Sequence, residues 1–371
     1  MKRASLLVMV TLLTLSLIGQ GVLAQDTEGP AAPEADARLA VAHLAPFAAD
    51  PDTAVSIELD GTEVLSDFEF GDSTAYLDLT PGSHTVEVFV PGNATPVLSL
   101  TDNFAADTDY TAIAVGGANN WDLELLALVD DTTTPASGKA KVRIGHLAPF
   151  ADGAANTLAD VRLQDDSLVI LDDVAFKDIN TYIELDAGTY DLKITTPDGS
   201  TTLIDPAPVT LNDGDVLSIF AVGDGTNQPL GAFAMFCCAE GFFLPLAEYG
   251  YVQIAHLAPF AADPDTAVSI EVDGVEVLSD FEYADSTAYV TLLAGVEHLI
   301  EVFPAGSATP AMTETVTLMA DGEYTVLATG GANDWDLDLV VLEDDNNAPD
   351  AGNAHVRIGH LAPCLLYTSP S

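Results

Sequence analysis

Basic residues are scarce in this chain: 10 Lys and Arg stand against 58 Asp and Glu, a formal charge of −48. A surface of that sign repels phosphate polymers and anionic lipid, which excludes nucleic acid as a partner. Cysteine is nearly absent, with only Cys237, Cys238 and Cys364. That excludes a disulfide-stapled framework, and a chain of 371 residues does not need one. Helical periodicity is missing beyond the first residues, and no later run is apolar and long enough for a membrane helix. A Gly-x-Ser-x-Gly elbow, a paired Cys–His candidate and a Gly-rich loop opening a helix are missing too. "VGDGTN" and "VGGANN" are Gly-rich, but they follow strands with no helix behind them and read as strand-end turns.

What is present begins with an export signal. Lys2 and Arg3 precede an apolar run from Leu6 to Ile18, and Val22-Leu23-Ala24 supplies small residues before a cleavage point. Residues 1–24 are therefore expected to be a signal peptide, with no cysteine at the cut to carry a lipid. The mature protein is expected to be secreted or displayed at the cell surface, without membrane insertion. Residues 25–37 read as a disordered N-terminal segment. With 48% hydrophobic residues in alternating positions, the chain can bury a core beneath its acidic surface.

The chain repeats itself. His43 to Thr80 and His256 to Leu293 are identical at 31 of 38 positions, at a shift of 213. "HLAP" starts at His43, His146, His256 and His360, and "KVRIGHLAP" ending at Pro149 returns as "HVRIGHLAP" ending at Pro363. The order is A-B-A-B with the last B cut short. Steps of 103, 110 and 104 residues between histidines are domain-sized, so each copy can bury its own core, like beads on a chain. Repeats are expected over 38–130, 140–250 and 251–343, with polar, proline-bearing linkers over 131–139 and 344–353 acting as exposed hinges. A fourth copy starts over 354–363. The closing "CLLYTSPS", 364–371, breaks every earlier pattern and reads as a non-native tail.

Within a copy every signal is strand or turn. "AVSIELDGTEVLSDFEF" alternates around Asp60-Gly61, a hairpin dipeptide, and "AYLDLTPGSHTVEVFV" is expected to turn likewise at Pro81-Gly82. "DYTAIAVGG" and "DLELLALVDD" supply a final pair. About seven short strands per copy predict an all-β fold of tandem immunoglobulin-like antiparallel β-sandwiches following the signal. Tyr76, Tyr182 and Tyr289 each open "Y-x-x-L-x-x-G", closing on Gly82, Gly188 and Gly295, and read as core-edge markers before a turn rather than a ligand platform. Tyr110 and Tyr324 suit a tyrosine corner, and copy two is expected to carry Val216 there. Copy two also ends in "AFAMFCCAEGFFLPLAEYG"; its Phe233, Phe236, Phe242 and Phe243 are expected to stiffen the joint with copy three. Cys237 and Cys238 admit two readings, a vicinal disulfide or buried apolar thiols.

Taken together, "VAHLAPFAADPDTAVSIELDG", "FGDSTAYLDLTPGSHTVEV" and "DYTAIAVGG" resemble the domain-of-unknown-function 4397 family. The resemblance covers nearly all of the mature chain. It implies an exported, tandem, immunoglobulin-like sandwich, mostly bacterial, with no settled activity. This chain departs from the family pattern in a longer loop after Pro46 and in Ser56 where Asp is usual; copy two also lacks the "DPD" element.

Candidate chemistry is thin. The histidine before each Leu-Ala-Pro could serve as a metal ligand or general base, but no second ligand stands at metal spacing. The reading adopted for His43, His146 and His256 is structural: Pro46, Pro149 and Pro259 end the first strand while the imidazole bonds unpaired backbone. Asp50 and Asp52, repeated as Asp263 and Asp265, are the calcium candidates; no other cofactor is expected. The chain reads as a non-enzymatic, modular surface or extracellular protein, a spacer or a contact to an extracellular polymer or protein. The alternatives are an accessory module of a polymer-degrading hydrolase and a calcium-rigidified surface array. Calcium binding predicts a melting temperature that rises with the ion and falls with chelator; identical melting in both would dismiss it.

Overall fold

Asp60 and Gly61 take φ of 51° and 74°, the mirror-image turn whose twist suits antiparallel strands. They join β2 (Val55–Leu59) to β3 (Thr62–Phe68) in a computed structural model that describes residues 35–237, 239–261, 266–332 and 336–361. The expected signal peptide, Cys238, Asp263, Asp265 and the tail 364–371 lie outside the described residues.

Repeat 1 adds β1 (Ala37–His43), β4 (Leu77–Leu79), β5 (Gly82–Phe89), β6 (Leu98–Phe104), β7 (Asp109–Val115) and β8 (Glu124–Asp130). These eight strands, one more than the turn signals suggest, form two sheets ordered β4-β1-β7-β8 and β3-β2-β5-β6. Leu39, Val41, Ile57, Val86, Phe104 and Tyr110 fill the space between the sheets. Repeat 3 copies this plan, with Tyr249–His256 in the place of β1 and Glu323–Thr329 in the place of β7. Repeat 2 varies it: Lys139–His146 lies between Ile183–Asp186 and Val216–Val222, followed by Gly231–Phe236 and Phe242–Phe243. All three repeats are β-sandwiches, as the alternation predicts. Pairing is antiparallel except that the first strand of each lies parallel to the seventh or its equivalent.

Pro81-Gly82 is not the hairpin expected. β4 pairs with β1 in one sheet and β5 pairs with β2 and β6 in the other, so the chain changes sheets at this point. Gly82 and Gly295 turn that corner with φ of 138° and 77°, while Gly188 opens the short strand Gly188–Tyr190. The tyrosine position shifts as well. Strand register sets Leu217, not Val216, opposite the place of Tyr110, because His146 pairs with Ala221 as His43 pairs with Ala114.

Repeats 1 and 2 are not separate beads. The β1–β7 pair is buried on both faces, and its outward residues Ala40, Ala42, Leu44, Ile113 and Val115 meet Leu147, Phe220, Val222, Phe233 and Met235 of repeat 2. Glycine at 145 lets the Phe220 ring of the adjacent strand in repeat 2 lie against the backbone, since a Cβ there would stand 2.8 Å from that ring. Phe233 and Phe243 therefore face the preceding repeat, not the following one, while Phe236 packs on the core of its own repeat. Phe233 lies in the shared core, and Phe243 packs on Phe233 and on Phe70 of repeat 1 at ring separations of 5.3 and 5.8 Å. Phe236 stacks on Phe242, 6.0 Å away. The linker over 131–139 is tied down instead of hinging. Thr132 donates to Asp109, Lys141 Nζ donates to the Thr133 carbonyl at 2.8 Å, and the Gly138 N–H donates to Asp213 at 2.7 Å.

Burying five large apolar side chains fully is worth roughly 1.5–3 kcal/mol each, enough to make two repeats unfold as one. Phe233→Ala, which empties the centre of the shared core, should lower stability by about 3–5 kcal/mol. Denaturant unfolding followed by probes in repeats 1 and 2 checks this: both transitions should shift, whereas a shift confined to repeat 2 would contradict a shared core.

Candidate functional site

The four letters of His-Leu-Ala-Pro do four different things at the junction of repeats 1 and 2. The histidine faces inward. Its Nε2–H donates to a backbone carbonyl across the following loop: Thr53 at 3.0 Å for His43, Thr157 at 2.6 Å for His146, Thr266 at 2.9 Å for His256. Its Nδ1 accepts the N–H of Ala45, Ala148 or Ala258 at 3.3–3.4 Å. With both ring nitrogens engaged by backbone, neither is available to a metal or a substrate proton. Phe47, Phe150 and Phe260 stack on the three rings at 5.5, 5.5 and 5.7 Å. Burial pushes His43 down from 6.5 to about 4, and lowers His146 as well.

The leucine faces outward: Leu44 and Leu147 are both fully buried in the shared core. The alanine packs into its own repeat, and the proline presents its carbonyl to the neighbour. Asn227 Nδ2 and Gln228 Nε2 of repeat 2 donate to Pro46 and Ala48 carbonyls, both at 3.0 Å. In return Asn119 Nδ2 and Trp121 Nε1 of repeat 1 donate to Pro149 and Ala151 carbonyls at 2.7 and 3.0 Å. Acceptors at matching positions in both repeats make the junction close to two-fold symmetric.

Its polar centre breaks that symmetry. Arg143 of repeat 2 and Asp130 of repeat 1 form an ion pair at 2.6 Å, with 5% and 1% of their side chains exposed. Arg143 also donates to Ser218 Oγ at 3.0 Å and to the Val129 carbonyl at 3.2 Å, and its guanidinium lies 4.7 Å from the Tyr182 ring centre. Asp130 accepts the hydroxyls of Tyr76 and Thr111, both at 2.6 Å. Burial, then the Asp130 carboxylate, holds the Tyr76 phenol far above its ordinary value; burial also raises Tyr182. The cavity left among Tyr76, Tyr182, Arg143 and Cys237 has a volume of about 20 Å³, too small for an organic substrate.

The remaining candidates are dispersed. His84 Nδ1 meets Asp60 at 2.6 Å, which raises the imidazole above its ordinary value, and its Nε2 bonds the Thr80 carbonyl at 2.7 Å. His298 makes the matching hydrogen bonds to Asp273 and to the Leu293 carbonyl, and Tyr190 of copy two donates to the Asp186 carbonyl at 2.8 Å in their place. Asp50 and Asp52 are exposed. The group of three carboxylates that converges among the described residues is instead Asp160, Asp172 and Asp173, where Asp160 is held by Arg162 at 2.6 Å and by the Asp173 N–H at 2.8 Å.

Sequence reading missed the Arg143–Asp130 pair and the stacking phenylalanine. The second had a signal, since all three full copies read "HLAPF". The first had a fainter one: "KVRIGH" and "HVRIGH" keep an arginine amid apolar residues in a chain poor in cations.

A family model described as "Domain of unknown function (DUF4397)" matches residues 37–153, 150–263 and 250–365. No curated protein matches the chain. Among solved structures it is similar to "The Bacillus anthracis TIE protein", at 13% identity and a TM-score of 0.17 over 79% of this chain; it spans 50% of the length of that one.

Asp130→Ala would strand a buried guanidinium and should destabilise the pair of repeats by about 3–5 kcal/mol, measured by denaturant unfolding. The folded pKa of His43 lies below its ordinary 6.5, so the fold favours the neutral ring. Its contribution is complete above pH 6.5 and is lost as pH falls toward about 4, amounting to about 3 kcal/mol at most. An imidazole NMR titration checks it: His43 should stay neutral to about pH 4, whereas His84 should titrate above its ordinary value.

Proposed function

The chain belongs to the DUF4397 family, in three tandem copies, and from that premise we propose that it is an exported, non-enzymatic scaffold whose repeats lock pairwise into a stiff array. The observation that carries this reading is the face-to-face junction of repeats 1 and 2, with its shared apolar core and the reciprocal bonds at Pro46 and Pro149. A flexible tether needs no such junction; a spacer that must hold a contact away from a surface does. The reading as non-enzymatic is supported by where the proton-carrying groups are spent. The buried histidines clamp loops, and Arg143, Asp130, Tyr76 and Tyr182 brace one repeat against the next.

Export is supported by Lys2, Arg3 and the apolar stretch ending at Ala24, and the surplus of acid suits a surface kept soluble by repulsion. Among the described residues no helix is long and apolar enough to cross a membrane. The array would act at the cell surface or beyond it, offering contact to an extracellular polymer or protein.

Two measurements test the proposal. Mature protein recovered from the medium or cell surface should begin at Gln25, and protein retained inside cells with Met1 intact would defeat export. Small-angle scattering of the intact chain should fit repeats 1 and 2 as one rigid body. The double change Leu44→Asp and Leu147→Asp should loosen it, and a scattering profile already that of a flexible chain before mutation would defeat the scaffold.

A further inference from the structure

The outer face of repeat 3 follows the plan of the face that repeat 1 buries, with Gln253 and Thr329 in place of Ala40 and Val115. Among the described residues Leu327 at its centre is buried while its edge is open. Leu257 stands in the place of Leu44 and Leu327 in that of Ile113. Leu44 is fully buried against repeat 2, whereas Leu257 is only half-buried. Tyr283 and Tyr289, which occupy the positions of Phe70 and Tyr76, are 50% and 36% exposed. Ser73 of repeat 1 accepts the Gly241 N–H of repeat 2 at 2.6 Å, and its counterpart Ser286 is exposed.

The chain after repeat 3 nevertheless begins the same junction. Asp344, in the place of Asp130, accepts Thr325 Oγ1 at 2.6 Å and the Tyr289 hydroxyl at 2.8 Å. Arg357, in the place of Arg143, pairs with Asp344 at 2.5 Å and donates to the Glu343 carbonyl, the counterpart of Val129. Each of the four bonds around Asp130 thus recurs around Asp344. They recur although residues 354–361 form no strand and are exposed. Gly145, on which Phe220 of its own repeat lies, is repeated as Gly359, so the start of the B-type strand is kept as well.

We propose that the outer sheet face of repeat 3 is the docking surface for a B-type DUF4397 repeat, entered through residues 354–361, so that A–B pairs are the unit of assembly. The occupant is a B-type copy because its partner face must bring the arginine. A-type copies carry Ala40 or Gln253 at the arginine position, so two A faces would meet without a guanidinium. This inference goes beyond the scaffold reading and holds wherever the protein resides.

The test extends the intact chain by joining residues 150–250 after Pro363 in place of 364–371, which completes a second A–B pair. Tyrosine nitration by tetranitromethane, read by mass spectrometry, then reports the face. In the unextended chain Tyr283 and Tyr289 should react faster than Tyr76; in the extended chain both should slow at least tenfold. Adding Arg357→Leu and Leu361→Asp to the extended chain should restore their reactivity. Unchanged nitration beside a folded added repeat, followed by circular dichroism, would overturn the proposal. So would an added segment that stays unfolded, since the same sequence folds against the equivalent face of repeat 1. Neither result would bear on export or stiffness, which are read separately by the Gln25 terminus and by scattering.

Discussion

A strand pair with two apolar faces needs two covers. In each repeat the first strand runs parallel to the seventh or its equivalent at the centre of a sheet, and in repeat 1 every residue of β7 is buried. One face is closed by the repeat's own second sheet. The other must be closed from outside, and in repeat 1 the cover is repeat 2. Folding and pairing are therefore coupled, because the residues that make β1 and β7 stable in the middle of a sheet leave them incomplete alone. The His-Leu-Ala-Pro motif sits where these two demands meet. Its histidine and alanine serve the inner core, while its leucine and the proline carbonyl serve the neighbour.

Apolar faces alone would not choose partners, since any two such faces can meet. The choice comes from the pair Arg143–Asp130. A buried ion pair contributes little net stability, because desolvation offsets most of the attraction, but either member left alone is strongly unfavourable. Only A-type repeats carry the aspartate at the end of their last strand; in repeat 2 the register brings Cys237 to that place. Only B-type starts carry the arginine. Pairing is thereby made directional, A followed by B, by a cost imposed on the wrong match rather than by a gain for the right one.

Much of the architecture is legible in the sequence because it is local. Asp60-Gly61 turns where the dipeptide says it should, and the alternation of "AVSIELDG" places Val55 and Ile57 inside. Pro81-Gly82 misleads because a turn dipeptide states that the chain bends, not which sheet receives the next strand. The junction is harder for a different reason. "ARLAVAHLAP" and "VLSIFAVG" are apolar apart from Arg38, His43 and Ser218, which signals burial on both faces, but no local pattern names the cover. Phe233 illustrates the limit: its burial was evident, while its partner lay more than a hundred residues upstream instead of next along the chain. Arg143 is only faintly legible, as a cation kept amid apolar residues, and Asp130 resembles an ordinary surface charge until the fold brings the two together.

The scarcity of cations acquires a meaning once the junctions are known. All eight Lys and Arg beyond Arg3 are in ion pairs: Arg38, Lys139, Lys141, Arg143, Arg162, Lys177, Lys193 and Arg357. Four of them reach across a repeat boundary, from Lys141 to Asp131, Arg143 to Asp130, Lys177 to Glu124 and Arg357 to Asp344. Elsewhere the repeats present acid to acid, and like charge holds such surfaces apart over about 8–10 Å at moderate salt. Attraction is thus confined to the faces that carry a cation, and repulsion polices the rest of the surface. A chain with a charge of −48 can then stack its own repeats closely while remaining averse to stacking on copies of itself. Its few basic residues matter more for where they stand than for how much charge they cancel.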